Sequence, residues 1–101
     1  MNINALMQQA QKMQRDLQKA QKELDAKLFE FDSAGGAIHL AIYGNRKIEK
    51  INIDKDAIDP EDKEMLEDMI KIAINEALEA IDKEHEKIQA KLTSGMRMPG
   101  F

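Results

Sequence analysis

Apolar residues recur at Ile3, Leu6, Ala10, Met13, Leu17, Ala20 and Leu24, alternately three and four positions apart. That spacing puts them on one seam of an α-helix and excludes a strand, whose apolar face recurs at every second residue. Gly and Pro are absent from positions 1 to 34, and Gln, Lys, Glu and Ala fill the polar positions, so helix propensity agrees with the pattern. The sequence predicts a helix to about Asp25, with a seam that needs something to pack against.

The period then changes to two. Leu28 to Asp32 alternates, Ser33-Ala34-Gly35-Gly36 breaks the run, and Ile38, Leu40 and Ile42 alternate with Ala37, His39, Ala41 and Tyr43, which reads as a β-hairpin. Gly44-Asn45 makes a second turn, because both residues tolerate positive φ, and Lys50 to Asp54 supplies a third strand. Ile48 is out of phase with Ile51 and Ile53, so a bulge or a longer turn is expected near Glu49.

Asp59-Pro60-Glu61-Asp62 has the form of a helix start, with Asp59 as the cap and Pro60 in the first helical position. No breaker follows until Gly95, so a second helix should extend to about Leu92, its apolar first half on the sheet and its sparser second half projecting. The expected architecture is α+β: an α-β-β-β-α chain with a three-stranded antiparallel meander and two long helices. Residues 1–92 form one domain, and residues 93–101, with Gly95, Pro99 and Gly100, are expected to be a flexible tail.

The chain has 101 residues, 43% hydrophobic and 34% charged, which suits a single domain with a thin core. With no cysteine, disulfides and thiolate metal sites are excluded. His39 and His85 are the only histidines and neither has a second ligand at metal spacing, so no metal and no cofactor are expected. No nucleophile–base pair and no phosphate loop is present, which argues against an enzyme and against a small-molecule substrate. The N-terminal stretch has no apolar signal region and no window has about 18 apolar residues, so the expectation is a cytoplasmic protein without membrane contact.

The net charge of -4 conceals a division along the chain. Residues 54–86 carry thirteen acids against four bases, whereas residues 87–101 carry three bases and no acid. In the first helix Lys12, Arg15, Lys19 and Lys22 step by three and four, forming a row opposite the apolar seam. Such a row can follow a phosphate backbone, each cation displacing condensed counterions. Taken alone, it is equally the description of a solvated outer face. Lys87, Lys91 and Arg97 form a second basic set toward the other end of the chain.

A three-stranded sheet covered on one face leaves the other open, here Ala37, His39, Ala41 and Tyr43. That face and the helical seam together predict a homodimer.

Leu6-Met7-Gln8-Gln9-Ala10-Gln11-Lys12-Met13-Gln14, the Gly35-Gly36 hairpin, Glu61 to Asp68, Asn75-Glu76-Ala77, Ser94-Gly95-Met96 and Pro99-Gly100-Phe101 occur in an order that resembles the YbaB/EbfC family of bacterial nucleoid-associated proteins. The resemblance covers most of the chain. It implies a dimer joined through its sheets, with helices standing out like tweezers, that binds double-stranded DNA in the nucleoid without catalysis and with little sequence preference. Under that reading Lys12, Arg15, Lys19, Lys22, Lys87, Lys91 and Arg97 are the candidate DNA-binding residues. A small prefoldin-like chaperone or scaffold subunit is the alternative, since such proteins also place β-hairpins between two helices.

Overall fold

A computed structural model describes residues 2–96. Helix α1 (Ile3–Ala26) leads into strands β1 (Leu28–Ser33), β2 (Ile38–Tyr43) and β3 (Ile48–Ile53), followed by helix α2 (Lys63–Met96). The strands form an antiparallel sheet in the order β1-β2-β3, so the α-β-β-β-α arrangement is the one the periodicity predicts. The Asn2 side chain caps α1 by accepting a hydrogen bond from the Asn4 N–H at 3.1 Å.

Turn chemistry accounts for both hairpins, the second differently from expectation. Between β1 and β2, Gly35 and Gly36 take φ of 65° and 93°, the left-handed region that a side chain disfavours. Between β2 and β3 positive φ falls on Arg46, at 71°, and on neither Gly44 nor Asn45. The Arg46 N–H donates to the Tyr43 carbonyl at 2.8 Å and the Tyr43 N–H to that of Lys47 at 2.9 Å. This is a three-residue loop, a tight turn followed by one left-handed residue.

The expected bulge is present. Ala41 pairs with Lys50 and Ile42 with Ile48, which leaves Glu49 as the extra residue. The insertion restores phase: Ile48 and Ile51, an odd number of positions apart, both oppose residues on the inward face of β2.

The start of α2 corrects the sequence reading. Asp59 accepts from the Glu61 N–H at 3.0 Å and so closes a local turn, while Asp62 accepts from the Met65 N–H at 3.2 Å as the helix cap. The run contains two Asx motifs, and the later one lies directly before uninterrupted helical residues. At its other end α2 continues to Met96, past both the expected stop at Leu92 and Gly95. The rest of the expected tail, residues 97–101, lies outside the described residues.

Leu40 and Ile42 of β2 pack with Ala77 and Ile81 of α2, bordered by Phe29, Phe31, Ile74 and Leu78. The part of α2 that covers the sheet, Ile74 to Ile81, is thus the later stretch of the expected apolar half. Met65 and Ile72, nearer the start, are 46% and 49% exposed. Because α2 lies over β1 and β2, Ile48 and Ile51 on β3 remain 46% and 40% exposed. Ala41, expected on the open sheet face, is buried between its cross-strand neighbours Glu30 and Lys50, whose longer side chains flank a single methyl.

Candidate nucleic-acid interface

Helix α1 buries only Leu24, near its C-terminal end. Met13, Leu17 and Ala20, part of the predicted seam, line a groove against Ile88 and Lys91 of α2, so the two helices run antiparallel as paired arms. With that side turned toward α2, the basic row on the opposite side of α1 faces away from the body of the protein.

Lys12, Arg15, Lys19 and Lys22 are all exposed, and among the described residues none has a carboxylate within ion-pair distance. Arg15, Lys19 and Lys22 line one shallow depression with Gln18 and Glu23. Arg15 also borders a second depression with Gln11, Gln14 and Gln18. The glutamines, which the sequence reading treated only as helix-forming filler, add amide donors and acceptors beside the cations. Their own spacing of three and four was the available signal.

The second basic set is not assembled in the same way. Lys87 Nζ donates to Glu84 Oε1 at 3.0 Å, an i,i+3 pair that partly neutralises it. Lys91 is exposed but lies across the inter-helix groove with Asp16, away from the α1 row. Arg97 lies outside the described residues.

The charge division has a spatial counterpart. At one end of the sheet the Ser33 hydroxyl donates to Glu76 at 3.4 Å and the Asp54 N–H donates to the Ala37 carbonyl at 2.7 Å. The acid-rich segment from Asp54 to Asp68 begins there. At the other end the β2–β3 turn meets the C-terminus of α1, and beyond it extend the basic arm and the end of α2. The acids from Asp54 to Asp68 thus lie across the sheet from the arm, whereas Asp82, paired with Arg46 of the turn, and Glu84, paired with Lys87, lie at the arm's own end.

The open sheet face carries a different cluster. His39 Nδ1 is 2.8 Å from Asp32 Oδ1 and Nε2 is 3.4 Å from Glu30 Oε1. These contacts, the Asp32 hydrogen bond foremost, raise the His39 pKa above its ordinary value despite some desolvation. Among the described residues no group of three or more His, Cys, Asp or Glu is arranged to hold a metal ion, and no helix is long and apolar enough to cross a membrane.

A nucleoid-associated protein of Clostridium novyi is 49% identical over 101 residues, covering 100% of this chain and 89% of its own. One from Ruminiclostridium cellulolyticum is 44% identical over 101 residues, covering 99% and 88%. The fold is also that of an uncharacterized Helicobacter pylori protein of known crystal structure, with a TM-score of 0.73 at 17% identity over 92% of this chain and 98% of that one. The model of the YbaB/EbfC DNA-binding family matches residues 1–96, and the chain belongs to that family.

Proposed function

We propose that this protein is a nucleoid-associated protein that binds double-stranded DNA as a homodimer, through electrostatic contact with the phosphate backbone and with little sequence preference. The observation that carries the reading is the row Lys12, Arg15, Lys19 and Lys22, exposed on the outward side of α1 and, among the described residues, without carboxylate partners. Four cations along one helix match a repeating anion, and relatives 49% and 44% identical are named nucleoid-associated proteins. Lys91 and Arg97 are secondary contacts in this reading, and Lys87 joins them once it leaves Glu84. The protein acts by binding rather than by catalysis, in the cytoplasm at the nucleoid.

Dimerisation is supported by Ile48 and Ile51, exposed on the edge strand β3, and by Met65 and Ile72 on the uncovered start of α2. An edge strand with exposed apolar residues pairs readily with another chain, and a second copy would cover it. Two copies would present two basic arms, giving the tweezer shape.

The test is fluorescence anisotropy on several unrelated duplexes across a salt series. If the dimer neutralises on the order of six to eight phosphates, affinity falls by roughly 10³ or more between about 50 and 200 mM salt, similarly for every duplex. A shallow slope, or binding confined to one sequence, would refute the electrostatic mode.

A further inference from the structure

We propose that His85 and Gly44 form a joint that fixes the direction of α1 relative to the body, making His85 a positioning residue for the DNA-gripping arms. The functional half of this inference rests on the DNA-binding reading above.

The need for a joint follows from how little else holds α1. Of its 24 residues only Leu24 is buried, and Ile3 and Leu6 at its far end are 69% and 50% exposed. Core packing therefore anchors one end of the helix, the half-buried Met13, Leu17 and Ala20 rest on α2, and the segment around Ile3 and Leu6 is the free end of a lever. At 1.5 Å per residue, a tilt of about 10° at Leu24 would displace Lys12 by roughly 3 Å and Ile3 by roughly 6 Å. A displacement of that size exceeds the tolerance of a charge-assisted hydrogen bond, which is about 2.7–2.9 Å long.

Three elements converge where the tilt would have to occur. The last carbonyls of a helix have no partner within it, and in α1 two main-chain acceptors at this end are taken by the β2–β3 turn. The Asn45 N–H donates to the Asp25 carbonyl at 3.2 Å, and the Gly44 N–H to the Lys27 carbonyl just past the helix at 2.9 Å. The turn sits so close that a Cβ on residue 44 would lie 1.8 Å from the Leu24 carbonyl oxygen. Glycine is needed at this position for room, since its φ is not positive.

From the other side α2 clamps the same turn. His85 Nε2–H donates to the Gly44 carbonyl at 2.8 Å. On its other side, His85 Nδ1 lies 3.3 Å from Gln21 Oε1 of α1. One imidazole thus connects α1, through Gln21, to the turn that holds the end of α1, and both to α2. One helical turn earlier, Arg46 Nη2 and Nε donate to Asp82 Oδ1 at 2.6 and 3.2 Å and secure the other side of the turn. The turn is held to α1 by the Asn45 N–H, to Lys27 directly after α1 by the Gly44 N–H and to α2 by the Gly44 C=O, so it cannot shift without breaking one of these bonds.

The chain has no cysteine, so two introduced cysteines can be spin-labelled uniquely. Gln8→Cys on the arm and Glu79→Cys over the sheet, both at exposed positions, report the arm direction. Doubly labelled protein is diluted into unlabelled protein so that only pairs within one chain are read. We expect a single narrow distance distribution in the parent and one at least about twice as broad in His85→Leu, which fills the space without either hydrogen bond. His85→Gln, which keeps a donor to the Gly44 carbonyl, should restore the narrow distribution. Gln21→Ala, a helix-surface change, should broaden it as well and applies even where His85→Leu fails to fold. On duplex DNA, His85→Leu should weaken binding about tenfold with helix content and oligomeric state unchanged, and His85→Gln should recover most of the loss. The label readout needs no DNA, so it tests the joint even where the DNA-binding reading fails. Distributions as narrow as the parent's in both His85→Leu and Gln21→Ala, or a broadened arm that grips DNA as tightly as before, would overturn the proposal.

Discussion

Arg46 and Asp82 are joined by two hydrogen bonds to a single oxygen, Asp82 Oδ1, and Arg46 makes them from a backbone at φ 71°. A non-glycine residue in that region costs roughly 1–2 kcal/mol. The ion pair is about half exposed at both side chains, so after solvent screening it contributes at most about 1 kcal/mol. The pair and the strain are comparable. Arg46→Ala should lose the pair, keep the strain and be destabilised by about 0.5–1 kcal/mol. Arg46→Gly should lose both and unfold at higher urea than Arg46→Ala, which paired denaturation curves will show.

The His39 cluster predicts a pH dependence of stability. Its folded-state pKa is raised, chiefly by the hydrogen bond to Asp32, then by Glu30. The facing groups are Asp32 and Glu30 on β1 and, beside them on β3, Lys50 and the neutral Asn52. For a raised pKa the stabilisation is fully present below the unfolded value, about 6.5, and is lost as pH rises through the folded value. Urea midpoints of the parent should therefore fall from pH 6 toward pH 8 relative to those of His39→Gln, which has no charge to lose. A parallel pH profile for the two proteins would contradict the assignment.

Two isoleucines separate the core from the proposed interface. Ile81 is fully buried, so Ile81→Ala should cost about 2–5 kcal/mol in stability. Ile51 is 40% exposed on the edge strand, so Ile51→Glu should leave secondary structure intact but shift sedimentation from dimer to monomer. A monomeric parent would remove the basis for two arms.

Much of this was legible because period and turn chemistry are local. The seam of α1 and the strand alternation follow from residue spacing, and the phase break before Ile51 marked an irregularity near Glu49, although spacing alone did not choose between a bulge and a longer turn. The cap of α2 was misplaced because Asp59 and Asp62 both close local hydrogen bonds, and spacing alone does not rank them. The sheet-covering residues Ile74 to Ile81 were legible in their spacing, but the exposure of Met65 was not, because apolar density in Met65 to Ile70 reads the same whether a sheet or a second chain lies opposite. The basic row of α1 was visible as a row, and its outward direction depended on where α2 packs. The joint at Gly44 was invisible, because it depends on a carbonyl of α1 twenty residues earlier and an imidazole of α2 far later in the chain. Gly44-Asn45 was legible as a turn but gave no sign that the glycine serves clearance rather than φ.

The central claim is that the α1 row grips phosphate. The direct measurement is the affinity of the fourfold variant Lys12→Gln, Arg15→Gln, Lys19→Gln and Lys22→Gln for unrelated duplexes, beside the parent, at two salt concentrations. Glutamine is a good helix former and these positions are exposed, so helix content and sedimentation should match the parent. The variant should bind every duplex at least about a hundredfold more weakly at low salt, with a markedly shallower salt slope. A variant that keeps the parent's oligomeric state, affinity and slope would show that the row is only a solvated face.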